Sequence, residues 1–397
     1  MKVTFRGIAI RRSAVRWATL LWLLTAGIRF AQAASAATES VGLPGYLASS
    51  WEKLSSTLAE TLGLRDKQET LPESAWLGAD KSSNAIKINA LLDQAIGILL
   101  QGEANDLRQQ AARLRDEELP ALRWERDDLR NRRIAAPESS RLPWVKTRAK
   151  IDARIAELDA EIKGRDRALS EINESVAGAL RKLGLELDGR QIDILLTSVT
   201  GDDLFRNTVV FANVRLVVEK LAELSREDRD SLEISRRYTG MYLVLNDVLI
   251  VTQEGLVEKI DTNYKPQLAT MKAEAEKLRG EAQTRARQPQ YTQTQKSAFE
   301  ANAKANIMTA QVAELYAELL EGQRKSAMTT LADLRRNRDL AENTYKTVRS
   351  TGDLRNLIRT GLDLFDSIQS LSLPRLEPFE NDAIRREFED INRRLKK

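Results

Sequence analysis

The sequence predicts an all-α protein, elongated and built from long antiparallel coiled-coil hairpins around a central helical body. Charged residues make up 30% of the 397 positions and aromatic residues only 5%, a balance typical of long helices rather than compact mixed folds. Glycine and proline number only 19 and 9, so helix breakers are sparse and each one marks a boundary. Apolar residues recur at alternating steps of three and four over several turns, the pattern of a helix face packed on a neighbouring helix.

Residues 1–33 read as a cleaved export signal. Lys2, Arg6, Arg11, Arg12 and Arg16 precede an apolar run at 17–28, and Ala31, Gln32 and Ala33 form a small-x-small cleavage site. The run is shorter than the ~20 residues that span a bilayer. Cleavage is expected before Ala34 or Ala36; retained, the same run would anchor the exported body. The whole chain carries +4, but residues 1–33 hold six basic and no acidic residues, which leaves 56 basic against 58 acidic, a net −2. Without a global cationic field, nucleic acid is not an expected partner.

Residues 34–85 form an N-terminal cap region with one amphipathic helix, on which Leu47, Trp51, Leu54, Leu58 and Leu62 share a face. Residues 86–186 read as a coiled-coil hairpin. Its first arm, from about Asn84 to Arg133, carries Leu92, Leu99, Leu107, Ala111, Leu114, Leu122 and Leu129. Pro137 and Pro143 bracket the tip, and the return arm repeats Ile151, Ile155, Leu158, Ile162, Arg165, Leu169, Ile172, Val176, Ala179 and Leu183. Arg165 is expected to lay its stem across the seam and reach an acidic neighbour.

Residues 187–254 read as a central helical body. It opens on LDGRQIDILLTSVTGDDLF, a joint whose Asp202 or Asp203 would cap the next helix. Its apolar stretch 240–251 carries Asn246 and Asp247 in the middle, which favours a buried core helix over a membrane span. Residues 255–350 form a second hairpin, in which Pro266 should kink or start a helix and the RQPQYTQTQ segment should turn. The return helix carries Met308, Val312, Leu315 and Leu319, then Leu331, Leu334, Arg338, Ala341, Tyr345 and Val348, with a phase slip between Leu319 and Leu331. Residues 351–397 give short helices joined by a strap bounded by Pro374 and Pro378; the last helix aligns Ile384, Phe388, Ile391 and Leu395.

Histidine and cysteine are both absent. That excludes disulfides, Ser-His-Asp and Cys-His catalysis, and the usual zinc sites. Ser50 and Lys53 have the Ser-x-x-Lys spacing of serine acyl enzymes but lack the companion motifs. The acidic group Asp188, Asp193, Asp202 and Asp203 lacks the alternating ligand spacing of a calcium loop. The sequence therefore assigns no catalytic, cofactor-binding or metal-ligating residue.

In composition the chain resembles the coiled-coil regions of bacterial envelope proteins, and no motif narrows that resemblance to a family. The expected function is a non-enzymatic interaction or scaffold module of the cell envelope, periplasmic or else secreted or signal-anchored. It would contact an envelope protein, or a second copy of itself, through the tip residues Pro137, Ser139, Ser140, Pro143 and Trp144 or through the tail face Ile384, Phe388, Ile391 and Leu395. The alternative is a membrane-active helical protein that rearranges on lipid and inserts residues 240–251. Exported material is expected to begin at Ala34 or Ala36, as read by N-terminal sequencing; an intact Met1 in the envelope fraction would make residues 17–28 an anchor.

Overall fold

A computed structural model describes residues 43–76, 78–139, 141–142, 144–187, 189–227, 231–348, 351–371 and 382–395. The expected export signal lies outside the described residues. Within them the chain is helical, with no strand.

Helices α1 (Gly45–Gln68) and α2 (Lys81–Leu99) form the first packed pair. The expected face of α1 is inward: Leu47, Leu54 and Leu58 are buried, with Trp51 and Leu62 packed at the margin. Asp80 starts α2 with a capping box, its carboxylate accepting the Ser83 amide at 2.8 Å while Ser83 Oγ accepts the Asp80 amide at 3.0 Å. Asn84 joins the pair by donating to the Leu64 carbonyl and to Gln68 at 2.8 and 2.6 Å.

The first arm of the hairpin does not begin at Asn84. Gly102 has φ +121°, which L side chains rarely adopt, and the Tyr46 ring lies 3.1 Å from where a Cβ would stand. The chain breaks there, and Leu92 and Leu99 are buried in the α1–α2 side of the molecule rather than in the hairpin seam. The arm starts afresh as α3 (Glu103–Arg113), passes a π-helical turn (Leu114–Glu118), and continues as α4 (Leu119–Ala135). It returns as α5 (Arg148–Lys182). Ion pairs join Glu103 to Lys182, Glu118 to Arg165, Arg126 to Asp159 and Arg133 to Asp152. One number rises as the other falls, so the two arms run antiparallel.

Past the hairpin come α6 (Gly189–Thr197), α7 (Gly201–Glu227) and α8 (Leu232–Lys259), the last capped by Ser231. A second π turn (Ile260–Tyr264) carries α8 directly into α9 (Lys265–Arg287). The boundary expected at 254/255 thus falls inside a helix. The 55-residue α10 (Gln293–Thr347) runs back along α9 and α8, paired as Lys272–Glu314, Lys265–Glu321, Asp261–Arg324 and Glu254–Arg335. Helices α11 (Thr351–Leu371) and α12 (Asp382–Leu395) close the chain against the body.

Both π turns have the same cause. Each begins six residues before a proline, Pro120 and Pro266, and closes with an i→i−5 bond, from the Leu119 amide to the Leu114 carbonyl and from the Lys265 amide to the Ile260 carbonyl. Proline offers no amide and its ring crowds the carbonyl four residues back. One extra residue in the turn lets the helix pass it without ending. Pro266 therefore neither stops the helix nor leaves a gap in it.

Helix α8 is the centre of the body. Tyr242, Val244, Leu245, Asn246, Val248 and Leu249 are all fully buried, which needs neighbours on every side; α1, α2, α7, α10 and α11 supply them. The continuous helix 232–287 is long and apolar enough by composition to span a membrane, but 67% of its apolar window is buried inside the protein. Asn246 is satisfied there, donating to the Tyr242 carbonyl at 2.8 Å and accepting from Asn337 at 2.7 Å.

The phase slip expected in α10 does not exist. Its buried line runs Tyr316, Leu320, Gln323, Ala327, Thr330, Leu334, Asn337, Ala341 and Tyr345, in unbroken steps of three and four. Gln323, Thr330 and Asn337 recur every seven residues within it, so a reading of apolar positions alone lost the line there. Leu315, assigned to the seam by sequence, is 42% exposed.

Gly201, at the start of α7, sits against the α6 backbone, where an added Cβ would stand 2.5 Å from the Leu195 carbonyl oxygen. Gly201→Ala is expected to cost roughly 2–3 kcal/mol, typical of a small-to-large clash that only a backbone shift relieves. A lowered urea midpoint would register it; an unchanged midpoint would mean that the corner is loosely packed.

Candidate interaction surface

The outer half of the first hairpin is built from little apolar material. Its buried side chains form a thin line, Leu119, Leu129, Ala136, Ile151, Leu158 and Ile162, with Leu122 and Ile155 partly buried beside it. Around this narrow seam lies a ladder of exposed ion pairs, including Arg123–Asp166 at 3.1 Å and Arg154–Glu125 at 3.1 Å. Exposed pairs contribute little one by one, about 0–1 kcal/mol each, and act here mainly to hold register. Arg165 reaches Glu118 at 3.3 Å, the acidic neighbour expected for it. Helix α4 packs on α5 and on its own π turn.

Arg148 ties the tip together. Its Nε donates to the Ala136 carbonyl at 3.0 Å, its amide donates to the Pro137 carbonyl at 3.0 Å, and Nη1 pairs with Glu138 at 3.3 Å. Of the residues expected to make contacts there, Pro137 and Ser139 are exposed and Trp144 is 75% exposed. Ser140 and Pro143 lie outside the described residues. Two further apolar side chains join Trp144: Ile134 at 79% and Leu142 at 48% exposure. Sequence reasoning missed Ile134, although the signal was present. Leu129 and Ala136 keep the seven-residue step, and Ile134 lies off it, so it faces outward.

The tail face has a different fate. Phe388 packs on the Tyr316 ring with centroids 4.4 Å apart, and Ile391 and Leu395 are buried in the second core. Between them, Asn392 bonds the Tyr316 hydroxyl, and both accept from the Val199 amide, at 2.9 Å for the tyrosine and 3.0 Å for the asparagine. The side chain of Ile384 lies outside the described residues. Phe388, Ile391 and Leu395 of the face proposed for a partner pack on the chain's own body, so among the described residues that face is not free.

The joint at 187–205 is a packing corner. Thr200 donates to Gln323 at 3.0 Å. Asp203 does not cap α7; it accepts from the Tyr264 hydroxyl at 2.9 Å and from Lys259 at 2.5 Å, which fastens the base of the second hairpin. Asp202 pairs with Arg108 of the first hairpin at 2.6 Å, and that guanidinium also lies 5.5 Å over the Phe205 ring. Asp188 and the side chain of Asp193 lie outside the described residues. No group of three or more acidic residues able to hold a metal occurs among those described.

A cleft of about 610 Å³ opens between α1, α2, α8 and α10. Its charged side chains are engaged, most with one another and Arg236 with the Tyr345 ring, 5.3 Å from its centroid. Arg65 and Arg338 share Asp247, Arg338 also pairs with Glu342, Lys346 bridges Glu342 and Glu69 at 3.2 and 2.8 Å, and the Tyr345 hydroxyl donates to Asp66 at 2.9 Å. Burial, with Arg338 nearby, pulls the Arg65 guanidinium below its ordinary value. The cleft is a clasp that joins α1 to α8 and α10. Ser50 Oγ donates to Gln101 at 3.2 Å, so the Ser-x-x-Lys spacing builds no serine–lysine pair.

The chain matches no protein-family model, and comparisons with curated proteins and with solved structures yield no match.

Burial pushes the phenols of Tyr46, Tyr242, Tyr264, Tyr316 and Tyr345 above their ordinary value, and the Asp203 charge adds to the effect at Tyr264. The fold favours the neutral phenol, so this stabilisation is complete below pH ~10 and is lost as pH rises above it. No side chain titrates ordinarily between the carboxylates and the phenols, since histidine and cysteine are absent. Urea midpoints are therefore expected to be flat from about pH 6 to 9 and to fall beyond pH ~10. Tyr316→Phe should cost about 1–2 kcal/mol at neutral pH through its lost hydrogen bonds and make the alkaline decline shallower. An equally steep decline in the variant would remove Tyr316 from this account.

Proposed function

We propose that this protein is a non-enzymatic interaction or scaffold module of the bacterial cell envelope, exported by its N-terminal signal, which presents the tip of its first hairpin to a counterpart in the envelope. One observation carries the reading: Ile134, Leu142 and Trp144 are all exposed within one short stretch around the turn, at the end of a hairpin whose outer arms pack on each other. Large apolar side chains gathered in this way mark interaction sites. The arm also supplies reach. Thirty-five residues of α5 extend ~50 Å at 1.5 Å per residue. The absence of His and Cys, and the mutual pairing of charges in the cleft, support a role in binding rather than chemistry.

The test is in-cell photo-crosslinking from Ser139, with a matched probe at Gln290 on the second hairpin's turn. Discrete adducts are expected from Ser139 alone. Replacing residues 137–144 by a short glycine linker should abolish function in the envelope while far-ultraviolet circular dichroism keeps its helical signal. Undiminished function in that variant, or no adduct from Ser139 beyond the chain itself, would remove the role given to the tip.

A further inference from the structure

We propose that the first hairpin's tip docks on an anionic membrane surface, with Trp144, Leu142 and Ile134 entering the headgroup region and flanking Arg and Lys residues meeting the lipid charges. The inference rests on the interaction reading above and names the counterpart of that same tip.

Charge distribution is the first support. Residues 130–150 contain seven Arg and Lys against a single acid, Glu138, a net +6 in a chain whose residues 34–397 net −2. Basic charge is thus concentrated where Ile134, Leu142 and Trp144 emerge, and it flanks them on both arms: Arg132 and Arg133 on α4, Lys146 just before α5 and Arg148 at its start. Four of these charges, Arg130, Arg132, Arg133 and Arg148, are held internally, by Asp127 and Asp159, Asp128, Asp152 and Glu138. Arg141 and Lys146, next to Leu142 and Trp144, have no acidic partner among the described residues.

The kind of side chain is the second support. Tryptophan favours the membrane–water interface because its ring is apolar and its indole N–H is polar. An apolar point within a basic collar needs both burial and anionic attraction to hold to a bilayer, and each basic residue near such a surface adds roughly fivefold to partitioning. A protein socket would have to supply matching acids at fixed positions. An anionic lipid plane supplies charge everywhere.

The second hairpin is an internal contrast. Over residues 280–300 it carries three basic and two acidic residues, and Tyr291 packs edge-on against Phe299 at 4.9 Å rather than standing free. Two turns of similar construction thus differ in the two properties that lipid docking needs.

The chain lacks cysteine, so Ser139→Cys creates a sole thiol at the tip for an environment-sensitive dye, and Gln290→Cys does the same at the other turn. Full-length protein labelled at Ser139→Cys is expected to blue-shift on phosphatidylglycerol-containing vesicles and not on pure phosphatidylcholine vesicles. The Gln290→Cys label should not respond, and the reading stays local whatever the N-terminal segment does. Combining the tip label with Trp144→Ser and Leu142→Ser should weaken apparent binding about a hundredfold, roughly tenfold for each lost apolar side chain. Arg141→Glu with Lys146→Glu should weaken it by a similar factor, and raised salt should do likewise. These exposed positions leave the cores intact, which circular dichroism checks. No shift on phosphatidylglycerol vesicles, or an equal shift on both vesicle types, overturns the proposal. If Ser139 crosslinks a discrete protein while the vesicles give no shift, lipid docking fails and the interaction reading stands; if neither occurs, both fail.

Discussion

The amide of Val199 lies in the corner where α6 gives way to α7, buried and without a helical partner. An orphaned buried amide costs a few kcal/mol, and the fold satisfies this one with the Tyr316 hydroxyl and Asn392. Tyr316 lies midway along the 55-residue α10 and Asn392 lies in the last helix. A single backbone group therefore fixes the corner, the long return helix and the tail relative to one another. Thr200–Gln323 and Asp203–Tyr264 bond the same corner to the second hairpin, so both hairpins root in it.

From that root the molecule divides its labour. The two cores hold nearly all the large buried side chains, whereas the outer part of the first hairpin buries only a thin line of them. Stability and exposure are thereby separated. The body tolerates little change around α8, while the tip can present Trp144 and Ile134 to the outside because the fold does not need them inside. The same separation explains why the tail, despite its strongly amphipathic pattern, offers no partner face: its apolar side completes the second core.

Several features were legible before any coordinates. The alternation of threes and fours in 151–183 specified a long helix with a buried stripe, and Pro137 and Pro143 placed the turn. The fold departs where the sequence signal was carried by something other than an apolar residue. Gly102 ends the first pair through its backbone conformation, which spacing alone does not encode. Gln323, Thr330 and Asn337 continue the α10 line, Gln323 accepting from Thr200 and Asn337 donating to Tyr242 and Asn246. The π turns before Pro120 and Pro266 keep helices whole where proline predicts an interruption. The tip was found by its turn residues, and its apolar character only in part, since Ile134 announced itself by being out of phase.

By itself the sequence determined the all-helical class, the two hairpin turns and the chemistries closed by the absence of histidine and cysteine, because composition and local periodicity depend on near neighbours along the chain. Only the tertiary structure decided which faces meet: that α1 and α2 join the body, that α8 lies at its centre, that the tail is consumed internally and that the tip is not. Those outcomes rest on contacts between residues more than a hundred positions apart, such as Val199 with Tyr316 and Asn392, and no local pattern specifies which distant partner will satisfy a buried group.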